Sequence, residues 1–179
     1  MTKPSTRTIL ALALAAVLVV AAAVAGIVAV AVHNSHEADP TVTAYAHGKT
    51  VTVPPYLYCT IGEPDPHGRV SPDCKRTEIT AELNPPLGYP VQLSLPRHIA
   101  DAPWVMVLEY QQIDNPGKTV QHLASYRDYP QGTLAVTVDS HPEPNLRLIG
   151  VEVQLLLLVR DEAGNEAFSP YQAWSIRAA

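Results

Sequence analysis

The segment TVTAYAHGKTVTV, Thr41 to Val53, alternates small apolar residues with threonine on either side of His47-Gly48. Placing that dipeptide in a two-residue loop sets Ala46 opposite Lys49, Ala44 opposite Val51 and Val42 opposite Val53. The apolar residues then share one face, and Thr41, Thr43, Thr50 and Thr52 share the other. That period of two is the mark of a half-buried strand pair. Gly48 can supply the positive φ that a tight two-residue turn needs. The segment therefore predicts a β-hairpin.

The same alternation recurs downstream. Val91, Leu93 and Leu95 alternate with Gln92 and Ser94, and Trp104, Met106, Leu108 and Tyr110 with Val105, Val107 and Glu109. Leu134, Val136 and Val138 repeat it, and Ile149, Val151, Val153, Leu155, Leu157 and Val159 form one face of a long strand whose second half is apolar on both sides. Lys118 to Arg127 alternates less cleanly, as an edge strand would. Shorter extended pieces are expected at Tyr56–Ile61 and Glu78–Leu83. A turn at Asp161–Asn165, with Gly164 or Asn165 at positive φ, leads to a last strand ending at Trp174 and Ile176. Sixteen of the 17 prolines are scattered from Pro40 onward. Each would cost roughly 3 kcal/mol inside a helix, so helices have little room. Short strands with frequent turns predict an all-β, immunoglobulin-like or fibronectin-like β-sandwich, with Trp104 filling the space between the sheets.

Upstream of the hairpin the character changes. Ile9 to Val32 contains no charged residue, Pro, Asn or Gln. At 1.5 Å per residue, about 24 residues reach roughly 36 Å, enough to cross a hydrocarbon core. Lys3 and Arg7 precede the run, whereas His33, His36, Glu37 and Asp39 follow it, so the N-terminus is expected inside and the remainder outside. Ala29-Val30-Ala31 has a form that a signal peptidase accepts, but the run exceeds the apolar region of a signal peptide, which favours a permanent anchor. The expected organisation is a cytoplasmic N-terminus (1–8), a transmembrane helix (9–32), a tether (33–40) and an extracytoplasmic β-domain (41–179).

The exported part holds ten of the 12 basic residues and all 17 acidic ones. It has no basic run, which argues against nucleic acid as a partner. The two cysteines, Cys59 and Cys74, both lie beyond the span. In an oxidising compartment such a pair is read first as a disulfide closing a loop of about 15 residues, worth roughly 3 kcal/mol. Free thiols or half of a metal site are the rival reading.

No constellation of catalytic or metal-binding type stands out. Histidines 33, 36, 47, 67, 98, 122 and 141 are scattered, apart from His33 and His36 in the tether. Asp161, Glu162, Asn165 and Glu166 supply oxygen ligands without the spacing of a calcium loop. Ser94, Ser125, Ser140, Ser169 and Ser175 lie in no nucleophile motif, and adjacent Ser140 and His141 sit in a proline-rich loop. Tyr56, Tyr58, Tyr89, Tyr110, Tyr126, Tyr129 and Tyr171 could line a groove, although strand tyrosines more often complete a core. No cofactor or metal is expected.

Several of these stretches can be matched together: Val42-Thr43-Ala44-Tyr45, Val51 to Cys59, Pro90 to Pro96, Asp101-Ala102-Pro103-Trp104, Gly150 to Leu155, Asp161 to Glu166 and Ala173-Trp174-Ser175-Ile176. With the N-terminal span, they resemble the actinobacterial membrane-anchored family called domain of unknown function 2771, over nearly the whole chain. The resemblance implies an anchored, extracytoplasmic domain with a cysteine pair, and it implies no ligand.

The leading expectation is a non-catalytic module of the cell envelope that binds an envelope protein or polymer. A hydrolase or transferase acting on cell-wall material is the second reading, and a carrier of an apolar ligand the third. A carrier needs an enclosed apolar cavity of roughly 300 Å³ or more. An enzyme needs converging titratable groups, and a binder an exposed apolar patch or groove.

Overall fold

The computed structural model describes residues 6–34, 39–63, 72–160 and 164–178. The chain divides into two compact units, 1–38 and 39–179.

The first unit holds helix α1, Thr6–Asn34, which runs past the predicted 9–32 at both ends. Within it Leu12–Val32 is long and apolar enough to cross a membrane. Every described side chain along the helix is exposed. A helix whose described side chains are apolar and exposed is suited to lipid, not to a protein core.

The second unit is built of strands β1 (Val42–Ala46), β2 (Lys49–Val53), β3 (Leu57–Ile61), β4 (Pro72–Arg76), β5 (Ala81–Glu82) and β6 (Val91–Ser94). The short helix α2 (Arg97–Ala100) follows, then β7 (Trp104–Gln112), β8 (Thr119–Ser125), β9 (Ala135–Val138), β10 (Leu146–Arg160) and β11 (Glu166–Arg177). One sheet has the order β2-β1-β6-β9 and the other β4-β3-β11-β10-β7-β8, with β5 also paired to β11. Every pairing is antiparallel except β5 with β11.

The connectivity is that of an immunoglobulin-like sandwich. Strands β1, β6 and β9 are neighbours in one sheet and β7, β10 and β11 in the other, matching the A-B-E and C-F-G sets of that fold. The chain changes sheet after β2, β5, β6, β8 and β9. Strand β8 is added beside β7, β2 beside β1, and β3–β4 beside β11.

A single core lies between the sheets. Val42, Val91, Leu93 and Val136 meet Trp104, Met106, Tyr110, Val151, Val153 and Trp174 there, all buried. Trp104 fills the interior as expected. The Trp174 indole N–H donates to the Pro40 carbonyl at 2.8 Å, which satisfies the one polar atom that this side chain brings inside.

The first hairpin has the predicted register, Val42↔Val53 through Ala46↔Lys49. Its turn carries positive φ at both His47 (44°) and Gly48 (81°), as the twist of the flanking strands requires. Strand β8 is an edge, as its weak alternation suggested.

Three sequence expectations change. The long face of β10 does not begin at Ile149: a register shift between Leu148 and Gly150 places Leu146 and Leu148 in the core, with Val151, Val153 and Leu155. An extra residue at such a bulge reverses which side chains point inward. Leu134 is exposed, because β9 starts only at Ala135, opposite Ser94. The strand expected over Glu78–Leu83 shrinks to Ala81–Glu82. Residues 64–71, within the loop closed by Cys59 and Cys74, lie outside the described residues.

Candidate functional site

Cys59 and Cys74 sit directly opposite each other across β3 and β4 and form a disulfide. The pairing places it on the outer edge of the larger sheet. Leu57, Cys59 and Ala173 make a small second cluster there, with Tyr56 and Tyr171 against it.

The other singled-out residues do not converge. Among the described residues no group of three or more His, Cys, Asp and Glu could hold a metal ion. His98 bonds Gln172 at 3.0 Å, His47 lies tilted against Tyr89, and His122 lies against Tyr110. His36, Glu37, His67, Asp161 and Glu162 lie outside the described residues, as does the side chain of His33. Glu166 is engaged by Arg160. The Ser140 hydroxyl makes no hydrogen bond with His141, whose Nδ1 instead meets the Leu146 carbonyl at 2.7 Å.

The tyrosines divide by position. Tyr110 is buried and donates its hydroxyl to the Asp139 carbonyl at 2.9 Å. Burial, with Asp139 and Tyr129 nearby, pushes its pKa up to about 12. Tyr56 donates to Glu152; burial and that carboxylate raise its pKa. Tyr45, Tyr89 and Tyr126 stand at the surface.

The exposed apolar surface gathers where β10 outruns its neighbour. Strand β7 begins at Trp104, opposite Leu155, so residues 157–160 pair with β11 alone. Leu158 (52% exposed) lies directly opposite Phe168 (71% exposed). With Leu156, Pro103 and Val105 they line a trough of about 500 Å³ bounded by Tyr126 and Arg127. A second hollow of about 390 Å³ shares Pro103, Tyr126 and Arg127 and reaches Trp104, Tyr129 and Gly132. Both hollows are open to solvent, so the doubly apolar half of β10 lines a surface.

Local chemistry shapes the polar rim. Ser125 and Asp128 form a capping box on the single 3-10 turn Tyr126–Asp128, which gives the orphan backbone donors partners. That turn holds Tyr126 and Arg127 at the boundary between the hollows. The Arg127 Nε–H donates to the Tyr126 hydroxyl at 3.1 Å, and the guanidinium stands 5.5 Å from the Tyr126 ring centre. The hydroxyl contact raises the Arg127 pKa further. Tyr129 stacks on Trp104 at 5.4 Å, and its pKa is raised by burial and then by Asp128.

The arrangement offers apolar area, flat aromatic faces and one cation. The Leu155–Val159 run, apolar on both sides in the sequence, supplies Leu156 and Leu158 to the trough. Tyr126 is among the tyrosines that the sequence offers for a groove; Phe168 and Arg127 were not legible there, because their places depend on the β10–β11 register and on the turn after β8.

One uncharacterized protein of Mycobacterium bovis and two of Mycobacterium tuberculosis are each 38% identical over 138 residues, covering 77% of this chain and 76% of theirs. No solved structure matches the chain. The family model described as protein of unknown function (DUF2771) matches residues 35–179, the whole β-domain, and the chain belongs to that family.

Proposed function

We propose that this protein is a non-catalytic binding module of the cell envelope. Helix α1 anchors it, the N-terminus lies in the cytoplasm, and the β-domain outside engages an envelope protein or polymer. The observation that carries the binding reading is the apolar trough around Leu158 and Phe168. A large phenyl ring left mostly in water, beside other apolar side chains, marks an interaction surface more often than chance exposure. Tyr126 and Arg127 at its rim are residue types enriched where partners dock. The disulfide and the charge asymmetry about the helix support an oxidising, external location for the domain.

The test is crosslinking in intact actinobacterial cells expressing the protein, comparing the natural chain with Leu158→Ser/Phe168→Ser. The two substitutions fall on exposed residues, so the unfolding midpoint is expected to move little, by about 0.5 kcal/mol or less. A reproducible crosslinked species should appear with the natural chain and be lost with the double variant. An unchanged crosslinking pattern would remove the trough from the proposal.

A further inference from the structure

The outer face of the smaller sheet carries no charge. Strands β1, β2, β6 and β9 turn their apolar residues into the core, which leaves two rows of side chains outside. Their register sets one row as Thr52, Thr43, Ser94 and Ala135. The other is Thr50, Tyr45, Gln92 and Thr137. None of the exported part's ten basic and 17 acidic residues stands among them. Neither their hydroxyls nor the Gln92 side-chain amide bonds another described residue.

The second row borders an open hollow of about 460 Å³, lined by Tyr45, His47, Gly48, Tyr89, Pro90 and Gln92. Tyr45 is 43% exposed and Tyr89 47%, so solvent reaches both rings. Each aromatic residue has a firm support. Tyr45 lies on β1, which is paired on both sides. Tyr89 closes a turn, its N–H donating to the Pro86 carbonyl at 3.0 Å. His47 is held at φ 44° in the hairpin turn, the one positive φ outside glycine among the described residues. Asn or Gly takes that conformation at less cost, and strain kept at a hollow points to a use. The imidazole centre stands 4.3 Å from that of Tyr89, so the two rings brace each other.

The chemistry selects a ligand. Exposed aromatic rings accept the C–H face of a sugar ring and bury its carbon, while the hydroxyls at its rim keep polar neighbours. Gln92 and the threonines both donate and accept, as a set of sugar hydroxyls requires. An ionic polymer finds no counter-charge here, and a purely apolar ligand would cover hydroxyls that it cannot satisfy. A proline-rich peptide needs an aromatic-lined groove along its length, whereas hydroxyls continue this face beyond the hollow. Four strands about 4.8 Å apart span roughly 15 Å, room for several linked sugar rings.

We propose that this face binds an uncharged polysaccharide. One sugar ring lies in the hollow against Tyr45 and Tyr89, and its neighbours run over Gln92 and Thr137. The proposal rests on reading the domain as a binding module and names the class of polymer, but it shares no residue with the trough.

The test uses the full-length protein in lipid nanodiscs. The probes are immobilised neutral hexasaccharides of glucose, mannose, galactose, xylose and arabinose, with hexagalacturonate and decaproline beside them and empty nanodiscs as the blank. At least one neutral hexasaccharide should bind saturably, and more tightly than either comparison probe. Tyr45→Ala and Tyr89→Ala should each weaken it about tenfold, and Tyr45→Phe, which keeps the ring, should retain most of the affinity. Both tyrosines are exposed, so thermal midpoints of the variants report whether the fold is intact. Leu158→Ser/Phe168→Ser should bind the saccharide as the natural chain does, so that failure of this face and failure of the trough are told apart. Binding of no neutral hexasaccharide would overturn the proposal, as would tighter binding of decaproline or hexagalacturonate. Undiminished binding by folded Tyr45→Ala and Tyr89→Ala would overturn it as well.

Discussion

Tyr110 shows how one side chain couples the core to pH. The phenol is buried and donates to the Asp139 carbonyl, so the protonated form is favoured in the folded state and its pKa reaches about 12. In the unfolded chain the same phenol ionises near pH 10. The folded state then holds a proton that the unfolded state has lost, and the linkage relation makes stability fall as pH rises. That contribution is intact below about pH 10 and is lost progressively up to about pH 12. Absorbance titration of phenolate should show a group of tyrosines ionising late, with Tyr56 among them, and Tyr110→Phe should reduce that late step by one tyrosine. An identical titration curve for the variant would contradict the assignment.

Two elements carry predictions of a different kind. The β1–β2 turn holds Gly48 at φ 81° with nothing within 4 Å of where a Cβ would stand. Gly48→Ala therefore meets only backbone strain, expected to cost about 1–2 kcal/mol in denaturant unfolding. A loss below about 0.3 kcal/mol would show that the turn relaxes freely. The β3–β4 pair is closed by Cys59 and Cys74, 15 residues apart. Replacing both with serine should lower stability by about 2–4 kcal/mol through the freed unfolded chain. Equal midpoints for the natural and doubly substituted proteins would rule that out. The first hairpin was legible because pattern and turn residue agree within 13 residues. The inward face of β10 was not legible through Ile149: the bulge there is imposed by pairing with β7, and no local propensity announces it.

At the scale of the whole molecule, an apolar helix with every described side chain exposed precedes a β-domain with its own core. The hydrophobic effect asks for lipid around the first and is already satisfied in the second. With Lys3 and Arg7 on the N-terminal flank, the proposed topology predicts a simple result. Protease added to wall-stripped, unbroken cells should degrade the β-domain, with a cytoplasmic marker left intact. Survival of the domain until the membrane is opened would reverse the orientation.

Local pattern alone determined the apolar helix, the β class, the first hairpin's register and the edge character of β8. Each follows from hydrophobic periodicity or turn chemistry that neighbours in the chain share. Tertiary structure alone decided the partnering of β7, β10 and β11, the bulge at Ile149, the exposure of Phe168 and the isolation of the Ser140 hydroxyl. Those depend on which distant strands come to lie side by side, and on which side chains are left without a neighbour once they do. A candidate site is made of such leftovers, so it becomes visible only after the core has been filled.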